Sequence, residues 1–259
     1  MKTADIASVV NSPSKTQSIE EISLVIAAQD LIPAVINQDF LKFSGIIPQD
    51  WELVKPPIVN PNFAQLNFTN GVGITVQPRM ISLSESLNNK QWQDITIHQV
   101  AEKYLKKLPH AEYMSLSFSP KILLPFPDAP EAVRQYITES LLGSGTWKYI
   151  GKAPLQAGIN LMYHLERCQM TISISEAKLQ KPQETPIAAV LFSGNFNYNV
   201  NLKQAQLSSK FTQMINFLNY WRTDLEEFRE IVNQKFLDST EVDETQFVRG
   251  MSLFPGQML

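Results

Sequence analysis

Ile22-Ser23-Leu24-Val25-Ile26 reads against Met114-Ser115-Leu116-Ser117-Phe118 at an offset of 92, and this pairing governs how the rest of the chain is read. Trp51-Glu52-Leu53-Val54 reads against Trp147-Lys148-Tyr149-Ile150 at an offset of 96, and Ile81-Ser82-Leu83-Ser84-Glu85 against Ile172-Ser173-Ile174-Ser175-Glu176 at an offset of 91. Three landmarks in one order at nearly constant offsets point to two copies of one supersecondary unit. Ile81 and Leu83 alternate with Ser82 and Ser84, the period of a strand with one buried and one wet face. The expected fold is α+β: two related pseudo-repeat units, each an antiparallel sheet with helices packed on one face, plus a long C-terminal helix.

Working outward, Pro33 to Phe43 carries apolar residues at helical spacing, with Gly45 as a stop. Trp51 opens an extended piece that Pro56 and Pro57 end, and Asn70-Gly71 marks a tight turn after the alternating run Phe63 to Thr69. Ile74 to Ser86 then reads as a strand in which Pro78 marks a bulge or an edge, and Thr96 to Leu108 as a helix. In the second unit Tyr113 to Phe118 reads as a strand, followed by a proline-broken connection through Pro120, Pro125, Pro127 and Pro130. A helix from Glu131 to Leu142 and strands at Trp147 to Ile150, Ile159 to Leu165, Gln169 to Leu179 and Ile187 to Val200 complete it.

Met214, Leu218, Trp221, Leu225, Phe228 and Val232 are spaced alternately by four and three, which predicts one helix from about Ser208 to Leu237 with a heptad-like seam. Some 30 residues at about 1.5 Å each would span roughly 45 Å, longer than one small domain. The domain reading is a flexible leader over 1–18, a first α+β unit over 19–110, a second unit with the terminal helix over 111–238, and a C-terminal tail over 239–259.

Composition narrows the function classes. With 44% hydrophobic and 18% charged residues in 259, the chain can bury a real core. A net charge of -3 gives no overall field favouring nucleic acid, and Lys103, Lys106 and Lys107 read as a solvated helix end. Cys168 is the only cysteine, so no intrachain disulfide forms and a reducing, cytoplasmic compartment is expected. No run approaches the roughly 18 apolar residues of a membrane span, and residues 1 to 18 lack a signal-peptide pattern, so no membrane association is expected. Gly71-Val72-Gly73 and Gly143-Ser144-Gly145 lack the residues of a phosphate loop or dinucleotide fingerprint.

Candidate chemistry is sparse. Strand alternation would align His164, Glu166 and Cys168 on one face, where an imidazole, a carboxylate and a thiol can hold a metal or activate a thiolate. Glu166-Arg167 also reads as a hairpin tip, answering to the Asn70-Gly71 turn, which would scatter that face. Ser82 and Ser173 recur at matching places and complete the candidate polar site. Asp224, Glu226, Glu227 and Glu230 read as a solvated helix face, and Phe192, Phe196 and Tyr198 as core. No catalytic residue, cofactor or metal ligand is assigned.

The leading expectation is a non-enzymatic cytosolic protein that binds a partner protein, or itself as a homodimer, through the terminal helix and the apolar tail. Trp221, Leu225, Phe228, Phe247, Leu253 and Phe254 are its candidate surface. The alternative is a small-molecule binder or enzyme with a site in the cleft between the units, its ligand unknown. The order of elements, carried by Trp51, Asn70-Gly71, Ile81 to Ser84 and Phe217 to Phe236, resembles a broad group of uncharacterised bacterial proteins, and the Asn- and Gln-rich composition is similar to that of cyanobacterial ones. That resemblance implies no activity and no catalytic residue.

Overall fold

The computed structural model describes residues 18–127, 129–143, 145–152, 154–180, 183–201 and 209–238. Nine strands form one antiparallel sheet: β1 (Ile19–Ala28), β2 (Ile58–Asn60), β3 (Phe63–Asn67), β4 (Val72–Gln77), β5 (Met80–Ser86), β6 (Tyr113–Pro125), β7 (Gly158–His164), β8 (Gln169–Leu179) and β9 (Ile187–Asn199). Their order across the sheet is β2-β3-β4-β5-β1-β6-β9-β8-β7. The helices are α1 (Gln38–Phe43), α2 (Ile97–Lys107), α3 (Pro130–Gln135), α4 (Lys210–Leu218) and α5 (Trp221–Glu230). The architecture is thus α+β, and the first five strands join the last four through a ladder between β1 and β6 that runs from Ile19↔Leu123 to Ala28↔Tyr113.

In β1, β3, β4, β5, β6, β8 and β9 alternation turns every second residue toward a single core. Ile22, Leu24 and Ile26 of β1, Ile74 of β4, Leu116 and Phe118 of β6, Ile172 of β8 and Phe192 and Phe196 of β9 are all buried. The helices bury their apolar stripes against the same face: Ile97, Val100, Ala101, Tyr104 and Leu105 from α2, and Met214, Leu218, Leu225 and Phe228 from α4 and α5. Each such large side chain contributes about 1.5–3 kcal/mol when removed from water. Phe192, Phe196 and Tyr198 lie in this core, as their alternation suggested.

Several local expectations are corrected. The terminal helix is not continuous: α4 ends at Leu218, the Asn219 and Tyr220 amides bond to Ile215 and Phe217, and α5 starts at Trp221. Leucine and phenylalanine spacing was compatible with one straight rod, yet the break lets Phe217 and Tyr220 both stack on Tyr198, at 5.2 and 5.9 Å. After Glu230 the backbone widens into π-type turns over Ile231–Leu237. Ile74 to Ser86 is a hairpin and not one strand, because Pro78 lacks an N–H and Arg79 adopts a left-handed φ of 68° between β4 and β5. Pro33 to Phe43 is a short 3-10 turn followed by α1, whose first turn is capped by the Asn37 side chain accepting from the Phe40 amide.

Pro120 does not end its strand. β6 runs on to Pro125, with Pro120 opposite Ile22 on the β1 side. The pairing of Trp51–Val54 with Trp147–Ile150 also fails locally: Leu53 forms an isolated bridge with Phe68, whereas Thr146–Tyr149 is a 3-10 turn. Ile81–Glu85 lies on β5, beside β1, but Ile172–Glu176 lies on β8, which is separated from β6 by β9. Those two landmarks share an alternation and not a place in the sheet. The leader and tail expectations concern residues 1–17 and 239–259, which lie outside the described residues.

Phe228 of α5 packs directly over Gly194 of β9. A Cβ there would stand 2.8 Å from Phe228 Cδ2 and 3.1 Å from Pro120 Cγ. Phe228, fully buried, occupies the space that the missing side chain leaves. Gly194→Ala is therefore expected to lower the unfolding free energy by about 1–3 kcal/mol in urea titrations, through overpacking. Gly158→Ala on β7, whose nearest contact is 3.7 Å away, is the control and should cost nothing.

Candidate functional site

The face of the sheet opposite the helices has a composition of its own. The registers place Gln65, Thr75, Ser82, Val25, Ser117, Asn197, Gln169 and His164 in one row from β3 to β7. Asn67, Gly73, Ser84, Ser23, Ser119, Asn195, Thr171 and Met162 form the neighbouring row. Neither row contains Asp, Glu, Lys or Arg, where a soluble surface carries roughly a quarter to a third of these residues. The next row adds one cross-strand ion pair, Glu21 with Lys121 at 3.0 Å.

Side-chain hydrogen bonds knit these rows across strands. Ser117 Oγ donates to Asn197 Oδ1 at 3.0 Å, Asn195 Nδ2 donates to Ser119 Oγ at 3.2 Å, and Ser173 Oγ donates to Asn160 Oδ1 at 2.6 Å. Short side chains held this way lose little further rotamer freedom when something is laid on them. The arrangement offers amide and hydroxyl donors and acceptors on a field without charge, suited to a neutral polar partner and unsuited to phosphate chains.

The residues singled out from the sequence do not converge. Ser82 on β5 and Ser173 on β8 both face this surface, but four strand spacings separate them, about 19 Å. His164 ends β7, and the turn over 165–168 takes Glu166 out of the strand, so the aligned His-Glu-Cys face does not form. Where the alternative site would need a cleft between the units, the β1–β6 ladder keeps one register from Ile19 to Ala27, with α2, α4 and α5 packed over its apolar side. Among the described residues no group of three or more His, Cys, Asp and Glu side chains is placed to hold a metal ion. None of the described helices is long and apolar enough to cross a membrane.

The hairpin tip instead supplies a clasp that the sequence reading missed. Arg167 donates from Nε and Nη2 to Asp224 Oδ1 on α5, at 3.0 and 2.7 Å, and also pairs with Glu227. Tyr198 Oη donates to the same Asp224 carboxylate at 2.8 Å. Asp224 is fully buried, so its reading as part of a solvated helix face is corrected. Burial pushes its carboxyl above the ordinary value, with the hydrogen bonds from Arg167 and Tyr198 pulling the other way. Burial also raises the adjacent Cys168 thiol, which keeps it from being an activated thiolate.

The candidate interaction residues of the terminal helix are placed in the interior or near it. Leu225 and Phe228 are buried in the chain's own core. Trp221 stacks on His98 at 4.3 Å and tilts against Trp92 at 5.9 Å. Phe247, Leu253 and Phe254 lie outside the described residues. Glu85, which the sequence grouped with Glu176, is fully buried and caps α2: its carboxylate accepts from the Thr96 and Ile97 amides at 2.9 and 2.7 Å and from Lys90 Nζ at 2.6 Å. Glu176 lies 3.7 Å from Arg134, so the two glutamates do different work.

Two outcomes follow from the buried acid. Arg167→Met should cost about 3–5 kcal/mol in urea unfolding near pH 7, because it strands a buried carboxylate, and adding Asp224→Asn should recover part of that loss. The raised folded-state pKa of Asp224 means its contribution is fully present below the ordinary carboxylate value and is lost as pH rises through the raised one. Arg167→Met raises it further, so stability measured upward from about pH 4 should fall over a wider range than in the wild type. No protein-family model matches the chain, and no curated protein matches it.

Proposed function

We propose that this chain is a non-enzymatic binding protein whose working surface is the open polar face of the sheet. The observation that supports it is the pair of charge-free rows crossing eight strands, each with a side-chain hydrogen bond between β6 and β9 at its centre. A wet sheet face with no binding role has no reason to exclude Lys and Glu, which raise solubility. The partner is a protein presenting neutral polar groups, held by shape and hydrogen bonds, and the contact is insensitive to salt. The interaction role expected from the terminal helix thus moves to the other side of the molecule. A cytoplasmic setting and kinship with the uncharacterised bacterial group belong to the same reading.

The duplication is part of this proposal. With β1 matched to β6 at an offset of 92, Val25 stands opposite Ser117, its own counterpart, as two copies related by an approximate twofold axis through the central ladder require. On that scheme β3-β4-β5 answers to β7-β8-β9, and the Asn70-Gly71 turn to the Arg167 hairpin tip. Each copy then contributes half of one binding face.

A photo-crosslinking amino acid placed at Ser84, Ser117 or Asn195, with Lys103 and Glu226 on the helical side as controls, tests the reading in the native cells. One and the same protein adduct from all three sheet positions, retained at high salt and absent from the controls, is the expected result. Adducts from the helical side alone, or none from the sheet, would remove it.

A further inference from the structure

The two edges of the sheet are built differently. β2 is three residues long and sits between Pro56-Pro57 and Pro61, which cannot donate to a further strand. β7, at the other edge, pairs with β8 through all seven of its residues without a bulge. Its sequence, Gly158-Ile159-Asn160-Leu161-Met162-Tyr163-His164, contains no proline and no Asp, Glu, Lys or Arg. Among the described residues none of the usual devices that blunt an edge is present on it. Met162 is 63% and Tyr163 39% exposed, and the segment leading into β7 exposes Trp147, Tyr149 and Ile150. Every second residue of β7 therefore turns an unpaired N–H and C=O outward beside exposed apolar surface.

We infer that β7 is the interface through which two copies of this chain pair, edge to edge and antiparallel, into one continuous sheet. The sequence of β7 fits itself. In antiparallel pairing, residues directly opposite share a face, so only registers centred on a residue are allowed. The register centred on Leu161 uses all seven residues. It sets Leu161 against Leu161 of the second copy and Ile159 against Tyr163, an apolar strip on the helical side that extends the existing core. It sets Asn160 against Met162 and Gly158 against His164 on the open side. Like charges meet nowhere. Centring on Asn160 or on Met162 would leave residues unpaired at the ends.

The molecule already contains such a contact, since β1 and β6 join antiparallel about the pair Val25↔Ser117. A ladder of seven residues is short beside the roughly 1,200 Å² of a stable interface, so the exposed Trp147, Tyr149 and Ile150 belong to the buried area as well. This inference is independent of what the open face binds; pairing would align the open faces of two copies side by side.

Charge reversal across the twofold is the test. Asn160→Lys with Met162→Lys places lysines directly opposite lysines of the second copy, and Asn160→Glu with Met162→Glu does the same with carboxylates. Light scattering on the full chain should give a dimer for the wild type, half that mass for each double variant, and a dimer again when the two variants are mixed. Amide exchange of residues 158–164 in the wild type should speed up on dilution. A monomeric wild type, or double variants that stay dimeric alone, would overturn the proposal. So would a monomer with β7 amides still protected, because residues 239–259 of the same chain would then cover the edge. If a double variant fails to fold, the dilution dependence of exchange in the wild type still decides. Crosslinking at Ser84 on the far half of the face reads the binding proposal separately.

Discussion

The ladder between β1 and β6 is the contact on which the rest of the structure depends. Every other strand pairing lies wholly within the first five strands or the last four, and only this one bridges them. It brings Leu24 against Phe118 and Ile26 against Leu116, all buried, so the hydrogen-bonded seam is also the middle of the core. α2 from the first part and α4 and α5 from the second pack over it, and α2 touches α4 there. Separated, each part would expose a long apolar strand edge to water; joined, they share a single hydrophobic layer.

Burial on one side only leaves two kinds of polar group to be satisfied, and the chain treats them differently. On the helical side the few charges that enter the core are closed into hydrogen-bonded clusters. Glu85 receives two backbone amides and Lys90, and Asp224 receives Arg167 and Tyr198. Each anchors a helix at a set height over the sheet, because a buried carboxylate tolerates little displacement from its donors. On the open side no charge has to be neutralised across most of the strands, and Ser117, Ser119 and Ser173 bond laterally to Asn197, Asn195 and Asn160. The first arrangement holds the fold, and the second leaves a surface ready for contact. The two edges add a further asymmetry, with prolines flanking one and, among the described residues, no proline or charge on the other.

Much of the fold is legible in particular residues. Gln169 to Leu179 and Ile187 to Val200 announce their strands through strict alternation, and the Ile97, Val100, Ala101, Tyr104 spacing announces α2. Glu166-Arg167 was readable as a hairpin tip. Other elements escaped because local signals were ambiguous. Pro120 suggests a strand end, but a proline is tolerated where the ladder to one neighbour is locally unpaired, as it is beside Gly194. The seam from Met214 to Val232 cannot reveal its break at Asn219 and Tyr220, since both pieces keep the same apolar face toward the core. Asp224 sits among other acids on α5, and nothing nearby in sequence says that Arg167, 57 residues away, will meet it.

By itself the sequence determined the antiparallel strands, the helical stripes, the α+β class and the serine and asparagine content of one strand face, because period and side-chain chemistry are local properties. Tertiary structure alone decided which strands became neighbours, which carboxylates were buried, and that Ser, Thr, Asn and Gln residues scattered over seven strands would gather into two charge-free rows. The reason is physical: alternation sets the face on which a residue stands, but register and strand order, chosen by packing across the whole core, set what stands beside it.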